Sequence, residues 1–151
     1  MTPDTLATIH RLAFQAERPW SVDEFSELLA NPHVGLHSHR HGFALSRSIA
    51  GESELLTLAV DPDYQRRGIG RALTRQWLSD VANIAQTAFL EVAADNTAAC
   101  HVYRTECFTE IARRPAYYAR KNGAAMDAIL MRRDLTCGQL SESGTQPTES
   151  G

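Results

Sequence analysis

Three groups of residues have the types and spacing to do chemistry. In Gln65-Arg66-Arg67-Gly68-Ile69-Gly70, two glycines and a basic pair stand where an apolar run ends and a helical pattern begins. The first N–H groups of a helix have no intrahelical partner and the dipole there is positive, so such a junction can hold a diphosphate. A side chain at Gly68 or Gly70 would keep the phosphate away from the backbone. The segment is neither a Walker A loop nor a dinucleotide fingerprint, since Gly-Lys-Ser/Thr and a third glycine are both missing. A tight packing turn is the competing reading. Arg66, Arg67, Arg71 and Arg75 carry no acid between them. They form an anion site if they share a face, and a solvated helix surface otherwise.

The second group is Glu91, alone between Leu90 and Val92 in an apolar strand pattern. A carboxylate there needs a cleft or a partner, and a structural salt bridge is the first reading from sequence. The third is Asn96 with Tyr103. Seven helical steps of 100° return to within about 20° of the same face, roughly 10 Å further on, so both can line one cleft past the small Ala99 and Cys100. Asn96 also reads as a helix cap, and Tyr103 as a core aromatic with a wet hydroxyl. Cys100-His101 is not a thiol–base pair, because adjacent helical residues point about 100° apart. His33, His37, His39 and His41 invite a metal reading, but no acid or cysteine lies nearby, and exposed hairpin positions describe them better.

The elements that must position these groups are legible in the hydrophobic pattern. Leu6, Ile9, Leu12 and Ala16 predict a helix from Thr5 to Glu17, broken by Pro19-Trp20. Ser21-Val22-Asp23-Glu24 has the form of a capping box and opens a second helix stopped by Asn31-Pro32. Strands follow at Val34 to Ser38 and Phe43 to Ile49, joined by a turn at His39-Arg40-His41-Gly42. Glu54 to Val60, apolar on both faces, predicts a central strand. A helix from Gly68 to Ala82, with Ile69, Ala72, Leu73, Trp77 and Val81 as its core stripe, then leads to a strand at Thr87 to Val92. Strand, helix and strand in this order predict a right-handed parallel crossover. A helix from Asn96 through Arg104 precedes two strands, Phe108 to Ala112 and Ala128 to Arg132, joined by a long polar loop.

With 151 residues, 43% of them hydrophobic and 22% charged, the chain fits one globular domain, read as residues 1–136 with a disordered tail at 137–151. A net charge of −3 argues against general adhesion to nucleic acid or membrane. Asp4, His10, Arg11 and Glu17 interrupt the opening stretch where a signal peptide would be apolar, so the expected location is cytoplasmic. Cys100, Cys107 and Cys137, an odd number without CxxC spacing, predict free thiols.

The segment from Leu56 to Leu73, with Gln65-Arg66-Arg67-Gly68-Ile69-Gly70 at its centre, resembles the acetyl-CoA motif of the GCN5-related N-acetyltransferases, Q/R-x-x-G-x-G/A. The likeness continues through Phe89-Leu90-Glu91-Val92, Asp95-Asn96-Thr97-Ala98-Ala99, Val102-Tyr103, Phe108 and Arg113-Arg114-Pro115-Ala116-Tyr117-Tyr118. With Pro19-Trp20-Ser21 and Asp127-Ala128-Ile129-Leu130-Met131, it is similar to the RimI-type ribosomal-protein-alanine N-acetyltransferases and covers residues 5–134.

The resemblance implies a single-domain α/β fold: a mixed central sheet flanked by helices, with acetyl-CoA in the gap of a splayed strand pair. Pantetheine would pair with the backbone of Leu58, Ala59 and Val60. Arg66, Arg67, Gly68, Ile69, Gly70 and Arg71 would take the pyrophosphate, and Asn96 would contact the coenzyme. Glu91 would be the general base and Tyr103 the general acid toward the thiolate. The implied acceptor is the N-terminal alanine of a small-subunit ribosomal protein, with wider Nα or lysine transfer, a small amine metabolite, or a non-catalytic acyl-CoA sensor as alternatives. No metal is implied, and oligomeric state is open. Four departures, Ala93 for Arg, Cys107 for Gly, Ala119 for Pro and Met126 for Glu, lie beside peptide-binding elements and bear on the acceptor more than on acetyl transfer.

Overall fold

The computed structural model describes residues 1–121 and 123–135; the tail expected at 137–151 lies outside them. Four helices, α1 (Pro3–Ala13), α2 (Val22–Ala30), α3 (Ile69–Val81) and α4 (Thr97–Thr105), flank six strands. The strands are β1 (Val34–His39), β2 (Gly42–Ile49), β3 (Glu52–Val60), β4 (Thr87–Ala93), β5 (Thr109–Tyr118) and β6 (Met126–Asp134). They form one sheet in the order β1-β2-β3-β4-β6-β5, antiparallel except for the β3/β4 pair that α3 connects.

Apolar clusters cover both sheet faces. Leu73, Trp77 and Val81 of α3, with Cys100 and Tyr103 of α4, pack on Leu55, Val60, Leu90, Val92, Ile129 and Met131. Leu6 and Ile9 of α1 and Phe25 of α2 pack on Phe43, Leu45 and Ala59. The predicted α3 stripe holds except at Ala72, which is exposed; Thr74 and Leu78 are buried instead.

β3 changes character along its length. Leu45 opposes Thr57 while Ser46 opposes Leu55, so Leu56 is an extra residue on β3. Such a bulge bends its strand and exchanges which residues face each side. The parallel ladder to β4 covers Glu52–Glu54 against Thr87–Phe89, just before that bulge, although β3 runs on to Val60 and β4 to Ala93.

The helix starts follow local chemistry. Ser21 and Glu24 complete the predicted capping box, each bonding the other's backbone N–H, at 3.1 and 2.9 Å. α1 ends at Ala13, four residues short of Glu17. There the buried His10 ring accepts the Trp20 N–H at 3.3 Å and stacks on Trp20 at 5.0 Å, which turns the chain back before Pro19 can extend the helix. The terminal strands are longer than their periodicity indicated, Thr109–Tyr118 and Met126–Asp134. β5 is an edge strand, exposed from Thr109 to Tyr117, and therefore shows no apolar alternation. The histidine group divides. His33 is exposed, but His37 is buried between Asp80 of α3 and Ser46, each at 2.8 Å, because β1 lies under α3.

Cys107 sits at φ +70°, in the left-handed region that favours glycine. A non-glycine residue there costs about 1–2 kcal/mol, partly offset by the greater unfolded entropy of glycine. Cys107→Gly is expected to raise stability by about 1 kcal/mol, read as a higher urea midpoint at unchanged m. Burial holds His10 down, to about 4 from 6.5, so the fold favours its neutral ring. Its contribution, about 3 kcal/mol, is present above pH 6.5 and is lost as pH falls toward 4. Denaturant titrations across this window should show that slope. His10→Phe should flatten it, while lowering stability at neutral pH by removing the acceptor for Trp20.

Candidate active site

Three helices begin with a side-chain cap: Thr2 bonds the Thr5 N–H, Ser21 the Glu24 N–H and Asn96 the Ala99 N–H. The start of α3 has none, its N-cap being Gly68 at φ +80°. The loop before it is anchored, since Asp61 accepts the Asp63 N–H at 3.0 Å and Gln65 donates its side-chain amide to the Val60 carbonyl at 3.1 Å. From Arg66 through Arg71, no backbone N–H has a partner among the described residues; pairing resumes at Ala72, which donates to the Gly68 carbonyl at 3.0 Å. Arg66, at φ +66°, and Gly68 both adopt left-handed backbone, and alternation of this kind aims successive N–H groups into a concavity suited to an anion.

Room is left in front of these amides. A side chain at Gly68 would meet no atom within 4 Å, and one at Gly70 only Leu58 at 4.0 Å. Protein packing therefore explains neither glycine; positive φ explains Gly68.

The four arginines do not act together. Arg75 pairs with buried Glu106 at 3.0 Å, and Arg71 donates to Thr105 at 2.9 Å with its Nε 3.7 Å from Glu106. Their charge is directed to the C-terminal end of α4. Arg67 lies 5.1 Å over the Tyr64 ring, whose stacking partner is His41 at 3.4 Å, and Arg66 is exposed. The loop itself therefore offers main-chain N–H groups and at most two guanidinium groups to an anion.

Of the strand residues, Leu58 is partly buried and Ala59 and Val60 are buried, opposite Ala44, Phe43 and Gly42 of β2. The Val60 carbonyl is already taken by Gln65.

Glu91 lies two residues beyond Phe89, the last β4 residue registered against β3. Leu90 and Val92 point into the cluster that holds Tyr103, so strand alternation turns Glu91 to the opposite face. Glu91 and Tyr103 thus flank the sheet where β3 and β4 part, rather than sharing a face. Glu91 is paired, as its apolar setting required: Arg114 Nε of β5 lies 3.0 Å from its carboxylate. Tyr118 is close enough that its hydroxyl is pushed up to about 12, first by burial and next by the Glu91 charge.

Tyr103 is buried edge-on to Phe108 at 6.0 Å, and its hydroxyl has no hydrogen-bond partner among the described residues. Burial raises its pKa, so it stays protonated near neutral pH and has a proton to donate. Asn96 is exposed, and its side-chain oxygen is used by the cap at 3.2 Å, leaving its amide NH2 free. Cys100 is buried with its thiol pushed up by burial, and it makes a weak contact to the Ala93 carbonyl at 3.9 Å; it is no nucleophile.

Sequence reasoning assigned no role to Arg114 or Tyr118. Their segment was visible, but the expected strand ended at Ala112, before the residues that reach Glu91. A cleft of about 440 Å³ lies nearby, between Gln15-Ala16 and the β5–β6 connection, lined by Arg120, Lys121, Ala124 and Met126. Arg120 ties that connection to Asp95 by two bonds of 2.8 Å and to Glu17 at 3.5 Å.

Beside this arrangement, an uncapped helix start of unpaired N–H groups with a carboxylate and a protonated phenol on opposite faces of β4, stand the comparisons with known proteins. The model of the acetyltransferase (GNAT) family matches residues 7–107. The chain is 41% identical to the N-alpha-acetyltransferase RimI of Mycobacterium tuberculosis, covering 85% of this chain and 84% of the relative. It is 35% identical to the [ribosomal protein bS18]-alanine N-acetyltransferase of Escherichia coli, covering 75% and 79%. The crystal structure of the ribosomal-protein-S18-alanine N-acetyltransferase from Escherichia coli superposes with a TM-score of 0.79 at 29% identity, over 88% of this chain and 87% of that one. The chain is thus an acetyl-CoA-dependent N-acetyltransferase and belongs to the GNAT family.

Proposed function

We propose that the enzyme acetylates the N-terminal α-amine of a small-subunit ribosomal protein, with alanine as the acceptor residue, in the cytoplasm. The observation that carries the reading is the uncapped start of α3, where the N–H groups from Arg66 to Arg71 face open space. The resemblance to enzymes named for bS18 alanine supports the acceptor.

In this reading Arg66, Arg67, Gly68, Ile69, Gly70 and Arg71 hold the pyrophosphate of acetyl-CoA, mainly through main-chain N–H groups. The backbone of Leu58, Ala59 and Val60 receives the pantetheine where β4 leaves β3, with Val60 contributing less because Gln65 holds its carbonyl. Asn96 offers its free amide NH2.

Aminolysis of a thioester needs a neutral amine, a polarised carbonyl and a proton for the departing thiolate. Glu91 takes the ammonium proton, directly or through water, and the amine nitrogen bonds to the carbonyl carbon. As the C–S bond breaks, the Tyr103 hydroxyl protonates the sulfur and the second amine proton passes to solvent. An α-amine with pKa about 7.8 is roughly one-third neutral at pH 7.5, against about 0.1% for lysine at about 10.4. That difference of a few hundredfold supports Nα over lysine transfer.

Gly70→Glu separates cradle from fold. An acid in the first turn of a helix is favourable, by about 0.3–1 kcal/mol, so the melting temperature should hold or rise. Acetyl-CoA should bind at least about tenfold more weakly by calorimetry, because the carboxylate faces the phosphates. Glu91→Gln and Tyr103→Phe should each lower kcat by on the order of 10² or more with acetyl-CoA affinity unchanged. The acceptor is tested by incubating the pure enzyme with acetyl-CoA and ribosomal proteins and mapping the product by mass spectrometry. Acetylation of an N-terminal alanine is expected; turnover confined to small free amines would overturn the assignment.

A further inference from the structure

We propose that Arg114 is a positioning residue that stands in for the acceptor's ammonium on Glu91 and must be displaced by it, so that acceptor binding is an exchange of cations on one carboxylate. The proposal rests on Glu91 being the group that receives the acceptor amine.

The geometry behind it comes from sheet register. Glu91 of β4 is opposite Leu130 of β6, which is opposite Ala112 of β5; Ala93 is opposite Ala128, which is opposite Arg114. Both rows present these residues on the same face, so Arg114 reaches Glu91 diagonally from two strands away. Of the four residues bordering this diagonal, Ala93, Ala128 and Ala112 are small, and only Leu130 is large.

The end of β5 is shaped to do this. Arg114 pairs with Ala128 and Tyr118 with Met126, so β5 carries two more residues than β6 between these points. Ala116, inside that bulge, takes φ +50° and is held by an N–H bond to Asp127 Oδ1 at 3.0 Å. The bulge leaves Arg114 and Tyr118 both on the Glu91 face.

The ion pair is also built to yield. The Arg114 side chain is 55% exposed where its Nε lies 3.0 Å from the Glu91 carboxylate, against 14% for Arg120 in its pair with Asp95 nearby. An exposed pair of this kind is weak and readily exchanged. The guanidinium already lies 5.2 Å over the Tyr117 ring while it pairs with Glu91, a contact it can keep when the carboxylate is taken. An incoming ammonium gains the Glu91 carboxylate, and Arg114 stays with the ring and solvent.

The test uses the full-length enzyme saturated with acetyl-CoA and an Ala-starting peptide as the acceptor, comparing wild type with Arg114→Gln and Arg114→Lys. Removing the competing cation should lower KM for the peptide by about fivefold, with kcat changed little. Arg114→Lys should restore a wild-type-like KM. Binding of the same peptide carrying an Nα-acetyl group, which has no ammonium, should be unchanged by Arg114→Gln. In a Glu91→Gln background, the effect of Arg114→Gln on binding of the free-amine peptide should vanish. A rise in KM, a fall in kcat at constant KM, or equal shifts for free and acetylated peptides would overturn the exchange. Persistence of the shift without Glu91 would also overturn it. Failure of the underlying base assignment shows separately, as undiminished kcat in Glu91→Gln alone.

Discussion

The structure depends above all on a stretch of backbone left unsatisfied at the start of α3. A folded protein pairs most of its buried main-chain N–H groups, and each of the other three helices has one first-turn N–H capped by a side chain, Thr2, Ser21 or Asn96. From Arg66 to Arg71 the fold forgoes such a cap, places Gly68 at the helix threshold and holds Arg66 at positive φ. These choices cost stability and are sustained by the buried remainder of α3, where Leu73, Trp77 and Val81 anchor the helix to the sheet. These N–H groups are left to solvent, and their aim into one concavity suits an anion.

A second departure from regular structure complements the first. In an uninterrupted parallel pair, β4 would occupy the edge of β3 along its whole length and leave no access between them. The bulge at Leu56 follows directly after the last registered pair of β3 with β4. Beyond this point β3 keeps its register with β2 but has none with β4. The two stretches of lost pairing, β3 after Glu54 on its β4 side and the N–H groups from Arg66 to Arg71, are separated only by the anchored turn from Asp61 to Gln65.

Charge is distributed so that main-chain N–H groups dominate the start of α3. Glu106 at the end of α4 binds Arg75 and approaches Arg71, drawing two of the four arginines away from the loop. The same economy governs the acid side. Arg114 neutralises Glu91, and Arg120 joins Asp95 and Glu17, fastening the chain connections that border the neighbouring cleft. On the other face of β4, burial keeps the Tyr103 hydroxyl protonated.

Local patterns alone determined much of this protein. The capping box at Ser21 and Glu24, the central run ending at Val60, the α3 helix and the Asn96 cap are encoded within a few residues, where spacing and side-chain chemistry suffice. The motif from Gln65 to Gly70 is likewise contiguous, so the family resemblance it carries was legible before any fold was known. Tertiary structure decided what depends on neighbours distant in sequence. Periodicity could not show that His37 meets Asp80 under α3, that Arg71 and Arg75 turn to Glu106, or that β5 continues to Tyr118 as an exposed edge. Nor could it pair Glu91 with Arg114, because that contact requires three strands in register and a bulge around Ala116. Helical and strand repeats report which face of an element is apolar, but a polar contact across the sheet is set by alignment of separate strands, and one residue of slippage would put its members on opposite faces.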